Sequence, residues 1–269
     1  MDWLQKALEK SKQNETTDFQ FKTSSLMKES FSAENKSNQS ENNNPAIEIT
    51  PPNPLDERLL LTKQTDTHSI AAYNILAAKT LSLLMGLGAH TLAITSPKSG
   101  TGNTLTAANL AISIARSLHD TVVLVELDLR KPAFYRYFGL NNSDQGLSDH
   151  LTDAAELTDI LIKISGTDLT LLPAGTALDK NPNILGSPLL RQFVRDISSL
   201  YNNHLIIFDV PALLDTDDAL AFIPNVSASL LVLEEGVNTA QQVYQCTDIL
   251  KNHGLLGTIL NKAEGANSL

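Results

Sequence analysis

Residues 99–105 have the types and spacing of a loop that binds phosphate. Gly100 and Gly102 allow the backbone to approach an anion without interference from a Cβ, and consecutive backbone N–H groups in such a loop point at phosphate oxygens. A helix that follows the loop adds the positive end of its dipole. Thr104 stands where a hydroxyl would ligate the Mg²⁺ that accompanies a nucleoside triphosphate. The predicted nucleotide-binding residues of the loop are Ser99, Gly100, Thr101, Gly102, Asn103, Thr104 and Leu105.

The loop departs from the usual phosphate-loop pattern at one position. That pattern ends in Gly-Lys-Ser/Thr, whereas this loop ends in Gly102, Asn103 and Thr104. Asparagine can donate a hydrogen bond, but it brings no charge and is much shorter than lysine. The sequence therefore predicts a phosphate site without its principal cation. The alternative is that two glycines near the start of a helix form only a turn.

Three carboxylates stand where predicted strands end. Glu126 and Asp128 follow the apolar residues 122–125, and Asp209 follows residues 205–208. Carboxylates beside a phosphate loop can hold Mg²⁺, and they can orient or deprotonate an attacking group. Strands also end on Asp because Asp favours turns, but three acids at one edge favour the functional interpretation. The predicted catalytic residues are Glu126, Asp128 and Asp209, and the predicted metal ligands are Thr104, Glu126 and Asp209.

Apolar strand patterns alternate with helical patterns along most of the chain. This alternation predicts an α/β fold of the P-loop NTPase type, with a mostly parallel sheet covered by helices on both faces. Ligands of such sheets bind at the carboxyl ends of the strands. The predicted strands are 91–95, 121–127, 168–173, 204–209, 228–234 and 256–261. The predicted helices lie near 68–87, 104–118, 144–164, 188–201, 216–223 and 238–253.

Composition limits the classes of protein that this chain can belong to. Its 269 residues are 42% hydrophobic, enough for one large domain, and its net charge of −10 argues against unspecific nucleic-acid binding. Its single cysteine, Cys246, excludes an internal disulfide and is interpreted as a small buried hydrophobe. Because no continuous apolar run reaches about 18 residues, we expect no membrane span and a cytoplasmic location.

The N-terminal quarter differs from the rest. Residues 1–13 place Trp3, Leu4 and Leu8 along one side of a helix, which predicts either a docking helix for a partner or a frayed tail. Residues 14–60 are rich in Asn, Ser, Glu and Lys, and they are predicted to be a disordered linker. The predicted P-loop domain covers residues 61–265.

A series of short motifs resembles the bacterial tyrosine kinases (BY-kinases), the cytoplasmic ATPase-like domains of capsule and exopolysaccharide systems. The resemblance covers about residues 68–262. These kinases belong to the deviant Walker A class, together with the Min- and Par-type ATPases. The motifs that carry the resemblance, in chain order, are residues 128–132, 138–140, 146–149, 172–175, 181–182, 185–187 and 218–220.

This resemblance implies roles for several residues. Residues 100–104 match Walker A, residues 126–128 match Walker A′, and Asp209 matches the Walker B aspartate that coordinates Mg²⁺ or holds water. Asn261 sits where the deviant class has an asparagine that contacts the base, although it is equally a strand-end turn residue. Lys98 matches the signature lysine of Min- and Par-type proteins, and its alternative role is an exposed loop lysine. The implied ligand is ATP or ADP with Mg²⁺.

Three further departures accompany the loss of the lysine. Glu126 replaces the first aspartate of Walker A′, and its extra methylene displaces the carboxylate oxygens. Residues 71–77 carry no charge, where the family has an acid and two arginines that mediate ring assembly. The tail 261–269 has no tyrosine, where active members carry a cluster that neighbouring subunits phosphorylate.

These departures leave three functions to compare. The first is a nucleotide-binding protein with weakened or lost kinase activity that regulates exopolysaccharide or capsule synthesis through a membrane polysaccharide co-polymerase, also called a chain-length determinant protein. The second is an active ATP-dependent protein-tyrosine kinase that uses Lys98 and Glu126. The third is a Min/Par-type spatial-organiser ATPase. In the first case we expect a monomer or weak homo-oligomer, which meets the inner membrane only through its partner.

Overall fold

The computed structural model describes residues 45–62, 67–118, 121–141, 144–177, 187–202 and 204–263. The predicted N-terminal helix over residues 1–13 and most of the predicted linker lie outside the described residues. So does the motif at 181–182. The residues from Pro45 onward form one compact unit.

The described strands form one eight-stranded sheet in the order β1-β4-β5-β3-β6-β2-β7-β8. All neighbouring strands are parallel except the β4–β5 pair, which is antiparallel. This confirms the predicted α/β fold with a mostly parallel sheet. The strands are β1 (Ile47–Ile49), β2 (Thr91–Thr95), β3 (Val122–Glu126), β4 (Ile162–Ile164), β5 (Leu169–Leu172), β6 (Leu205–Asp209), β7 (Ala228–Glu234) and β8 (Leu255–Asn261).

Helices cover both faces of the sheet. In the central strands, consecutive residues such as Leu92 and Ala93 point to opposite faces of the sheet and are buried in different core clusters. Each of these strands is therefore apolar on both sides. The helices are α1 (Thr67–Leu87), α2 (Asn103–Leu118), α3 (Phe134–Tyr137), α4 (Leu147–His150), α5 (Pro188–Leu200), α6 (Asp217–Phe222) and α7 (Ala240–Leu250). Two short 3₁₀ turns span Leu157–Asp159 and Ile223–Asn225. Cys246 is free and buried on α7, as predicted.

The helix predicted over residues 144–164 is wrong. Within this stretch only Leu147–His150 is α-helical, and Asp153 then adopts a left-handed backbone with φ of 57°. Residues 162–164 instead form strand β4, which pairs with β5 through a short turn. The helical periodicity of this stretch is overridden because the β-branched residues Ile162 and Ile164 bury well on a strand that pairs with β1 on one side and with β5 on the other.

The segment 45–62, here called the N-terminal strap, corrects the predicted extent of the disordered linker. Its residues 47–49 add strand β1 to the sheet edge, parallel to β4. Leu59 and Leu60 are buried, and the Asn109 side chain of α2 accepts from the Leu60 N–H at 2.9 Å and donates to the Arg58 carbonyl at 3.0 Å. The polar composition hid this docking, which combines two buried leucines, the Asn109 amide and the pairing of β1. The ordered domain therefore includes residue 45.

Helix α1 qualifies as a candidate membrane span by length and composition alone, contrary to the sequence expectation. Uncharged Ser, Thr and Asn residues interrupt its apolar runs but leave its average hydropathy high. The core helices of soluble proteins can meet the same criterion. One face of α1, including Ala77, Leu81 and Leu84, is buried in the core cluster that also contains α2 residues.

Candidate functional site

The predicted phosphate loop connects β2 to α2, as the sequence indicated. Gly100 and Gly102 have φ angles of 87° and 98°, in the left-handed region that glycine adopts readily. The Thr106 N–H donates to the Gly102 carbonyl at 2.9 Å, which begins the hydrogen bonding of α2. A Cβ on Gly102 would lie 2.2 Å from the side-chain amide nitrogen of Asn261, so a larger residue would displace that side chain and would also adopt an unfavourable backbone angle. The loop therefore has the curved backbone that a phosphate site needs.

The register of the sheet brings two of the predicted acids to this loop. Asp209 is the Cα partner of Ile94 on β2 and of Glu126 on β3. The ends of three neighbouring strands thus meet beside the start of α2. Both Glu126 and Asp209 are buried, but their carboxylates have different environments.

Asp209 retains one carboxylate oxygen without a protein partner. Its Oδ1 accepts a hydrogen bond from the side-chain amide of Asn103 at 3.0 Å. Its buried Oδ2 accepts no hydrogen bond from any residue that the structure describes. Burial raises the pKa of Asp209 well above its ordinary value, although the Thr104 hydroxyl lies close enough to act in the opposite direction. An orphaned buried carboxylate oxygen beside a threonine hydroxyl fits a hard cation such as Mg²⁺.

This cation position is incomplete without the nucleotide. In the described part of the chain, no group of three or more His, Cys, Asp or Glu residues is placed to hold a metal ion. Asp209 and Thr104 would therefore supply the protein ligands of Mg²⁺, and phosphate oxygens and water would complete its shell, as is usual for this ion.

The carboxylate of Glu126 is bonded to backbone donors, and its role as a metal ligand and catalytic group stays a prediction. Its Oε1 accepts from the backbone N–H groups of Ala133 at 2.5 Å and Phe134 at 2.9 Å, and its Oε2 accepts from Ala174 N–H at 3.0 Å. Burial raises the pKa of Glu126 to about 7 against the effect of these three bonds. Because both oxygens are engaged by backbone donors, Glu126 joins the loop after β3 to the turn after β5.

Asp128 lies in the loop that follows β3, and its Oδ1 accepts from the Lys131 N–H at 3.0 Å. Burial raises the pKa of Asp128, while hydrogen bonds from the backbone of Lys131 and Arg130 act in the opposite direction. The same loop is tied to α6, because Arg130 Nε lies 2.7 Å from a carboxylate oxygen of the buried Asp218. Asp128 thus sits on a fixed loop next to the site, and its catalytic role stays a prediction.

The Asn103 side chain turns toward β6. Its amide nitrogen donates to Asp209 Oδ1 at 3.0 Å and to the Val210 carbonyl at 3.1 Å, and its amide oxygen lies 3.4 Å from the Ser96 hydroxyl. The amide is therefore occupied by protein groups. No positive charge stands at the position where the usual loop has its lysine.

Lys98 is exposed, and its backbone carbonyl accepts from the hydroxyls of Ser96 and Thr101. The sequence interpretation missed its neighbour Asp215, whose Oδ2 accepts from the Ser99 N–H at 2.8 Å and the Ser99 hydroxyl at 2.7 Å. The available signal was position: Asp215 follows β6, and β6 is the neighbour of the strand that precedes the loop.

Two residues at the end of β8 hold the other side of the loop. The Asn261 side chain donates to the Thr101 carbonyl at 2.8 Å, so it contacts the phosphate loop. Its role as a contact of the nucleotide base stays a prediction. Lys262, which the sequence interpretation missed, places its Nζ 2.9 Å from the Gly100 carbonyl and 3.0 Å from Glu234 Oε2. Lys262 has a φ of 56°, an unusual backbone angle for a residue other than glycine.

Comparisons with known proteins agree with this geometry. The model of the CobQ/CobB/MinD/ParA nucleotide binding domain matches residues 92–269. The tyrosine-protein kinase wzc of Salmonella typhi is 30% identical over 174 residues, which cover 64% of this chain and 24% of that protein. The putative tyrosine-protein kinase CapB of Staphylococcus aureus is 27% identical over 173 residues, which cover 64% of this chain and 74% of that protein. The match thus spans about a quarter of wzc and most of CapB.

The crystal structure of the VpsO kinase domain has the same fold. It is 25% identical to this chain, with a TM-score of 0.65, and the match covers 72% of this chain and 96% of that domain. The family model extends over more than half of this chain and includes the whole phosphate loop. The chain belongs to the CobQ/CobB/MinD/ParA nucleotide-binding domain family, and over the same region it is similar to bacterial tyrosine kinases.

Proposed function

We propose that this chain is a cytoplasmic nucleotide-binding protein with weakened or lost kinase activity, which regulates the synthesis and export of exopolysaccharide or capsule. One observation carries the proposal: the side chain in the lysine position, Asn103, is bonded to Asp209 and Val210 while the loop backbone keeps its phosphate-binding shape. Binding and catalysis are thereby separated.

The retained backbone supports nucleotide binding. The left-handed Gly100 and Gly102 curve the loop, and the N-terminus of α2 provides a favourable dipole for phosphate. We propose ATP or ADP with Mg²⁺ as the ligand, with the metal on Asp209 and Thr104. An Mg²⁺ ion bound at the free oxygen of Asp209 would neutralise part of the negative charge of the phosphates.

The altered side chains support weak phosphoryl transfer. The amide of Asn103 is uncharged and already bonded, so it cannot stabilise charge that develops on a transferred phosphoryl group. Loss of one preorganised stabiliser typically lowers the rate by about 10²–10³-fold. The three backbone bonds to Glu126 also hold both oxygens of that carboxylate against two loops, which disfavours its use as a general base.

The partner is proposed from the family resemblance. Regulation of polysaccharide export requires a membrane polysaccharide co-polymerase, and residues 1–13 are our candidate for the docking segment. Deletion of residues 1–13 is expected to weaken capture of such a co-polymerase in a pull-down. An unaltered pull-down would remove this segment from the proposal and leave nucleotide binding untouched.

Incubation with radiolabelled ATP and Mg²⁺, combined with calorimetric titration of ADP and ATP, tests the proposal. We expect saturable nucleotide binding without transfer of label to tyrosine. The second candidate, an active tyrosine kinase, is favoured by the exposed ammonium of Lys98 beside the loop. Transfer of label that is lost in Lys98→Ala would establish that function instead.

A further inference from the structure

Asp215 lies against the rim of the phosphate loop. A single oxygen, Oδ2, accepts from both the N–H and the hydroxyl of Ser99, at 2.8 and 2.7 Å. The segment before Asp215 is bonded along the loop, since Leu213 N–H donates to the Ser96 carbonyl at 2.8 Å and Leu214 N–H to the Pro97 carbonyl at 3.2 Å. These backbone bonds hold Asp215 at the loop independently of its own side-chain contacts.

The carboxylate of Asp215 is ionised at neutral pH. Its partial burial acts to raise the pKa, but the two hydrogen bonds from Ser99 and the charges of Lys98 and Lys131 outweigh it and lower the pKa below its ordinary value. The ionised carboxylate of Asp215 thus occupies the backbone N–H of Ser99. The other backbone N–H groups of such a loop bind phosphate oxygens. Any phosphate oxygen that uses the Ser99 N–H must displace this charge.

The rest of the loop remains available for an anion. Within the described residues, the backbone N–H groups of Gly100, Thr101 and Gly102 donate to no protein acceptor. In phosphate loops such groups cradle the inner phosphates, whereas the lysine reaches the outer ones. Here Asn103 brings no charge to the outer position, and Asp215 adds charge of the wrong sign nearby.

We propose that Asp215 makes this site select nucleoside diphosphates over triphosphates, an inference that rests on the proposed nucleotide-binding function. Two phosphates are satisfied by the free N–H groups, by the helix N-terminus and by a cation on Asp209. A third phosphate meets no lysine at position 103 and must compete with the Asp215 carboxylate both for Ser99 and for the ammonium of Lys98. The discrimination is electrostatic and lies at an exposed site, so it weakens as ionic strength rises.

Titration calorimetry of the full chain with ADP and with ATP, each with Mg²⁺ at low and at high salt, tests this selectivity. We expect the wild type to bind ADP about tenfold more tightly than ATP at low salt. Asp215→Ala should reduce this ratio to about threefold or less, chiefly by tighter binding of ATP. Asp215→Asn should do the same, because it removes the charge but keeps the size and an acceptor for Ser99. Asp217→Ala, which removes an equal charge from the exposed start of α6, is the matched control and should leave the ratio unchanged.

The outcomes separate this inference from the proposed function. If the wild type binds both nucleotides equally, or if both Asp215 variants keep the wild-type ratio, the selectivity assigned to Asp215 is wrong and nucleotide binding stands. If neither the wild type nor the variants bind ADP or ATP, the proposed function itself fails. Asp215→Asn preserves the test if Asp215→Ala does not fold.

Discussion

The ends of β6 and β3 carry two buried acids that are direct partners in the sheet, yet the protein uses them differently. Asp209 ends β6 with one oxygen on Asn103 and the other without a protein partner. Glu126 ends β3 with both oxygens bonded to backbone N–H groups of two loops. An acid at a strand end beside a phosphate loop is therefore a candidate metal ligand only if one of its oxygens is left free.

The largest expected effect comes from removing each acid in turn. Glu126→Ala leaves three backbone N–H groups without an acceptor in a buried site, so the free energy of unfolding should fall by about 3 kcal/mol or more. Asp209→Asn removes a desolvated carboxylate, so it should change the free energy of unfolding by no more than about 1 kcal/mol. Urea denaturation of the two variants measures both. Equal losses would break the contrast between the two strand ends.

The pH dependence of stability distinguishes the same two sites. The pKa of Glu126 is raised by burial from its ordinary value of 4.5 to about 7 in the folded state, so the folded state binds more protons than the unfolded state between these values. Stability from this group is fully present below about pH 4.5 and is lost as the pH rises through about 7, a change of about 3 kcal/mol. Asp209 acts in the same direction, because burial raises its pKa as well.

Denaturation of wild type and Glu126→Gln across pH 5 to 8 measures this effect. The glutamine variant lacks the titrating group, so its stability should vary less with pH over that window. In an Asp209→Asn background, the difference in slope between Glu126 and Glu126→Gln gives the contribution of Glu126, separate from that of Asp128, whose pKa is also raised by burial. Identical pH profiles for wild type and Glu126→Gln would show that Glu126 is not the source.

The smallest expected effect concerns the missing cation. Asn103→Lys restores a charge at the phosphate position and should raise ATP affinity about tenfold, while it removes a donor from Asp209 and costs about 1 kcal/mol of stability. Asn103→Ala removes the same donor without adding a charge and serves as the control. Calorimetric titration of both variants measures the difference, and an equal ATP affinity would argue that position 103 does not face the phosphates.

Local patterns predicted the framework of this site well. The apolar strands, the glycine loop and the first turn of α2 depend on residues that are close in sequence, and the structure confirms the sheet that they build. Strands β1 and β4 escaped prediction because each has only three residues. Such short strands depend on pairing: β1 lies at the sheet edge and pairs with the distant β4, and β4 lies between β1 and β5. Composition and periodicity do not record these contacts.

Side-chain orientation was the part that the sequence could not supply. The direction of Glu126 depends on N–H groups at positions 133, 134 and 174, which only the folded loops bring together. The contacts of Asp215 and Lys262 with the phosphate loop arise likewise from the order of β6, β2, β7 and β8 in the sheet. Strand order is a tertiary property, so no motif marked these residues.

The central claim is that this loop still binds nucleotide although it has lost the cation for phosphoryl transfer. The most direct test is one sample of the full chain with radiolabelled ATP and Mg²⁺, assayed in parallel for bound nucleotide and for label on tyrosine. The account predicts saturable binding with no labelled tyrosine in the wild type. Labelled tyrosine, or an absence of any bound nucleotide, would contradict it.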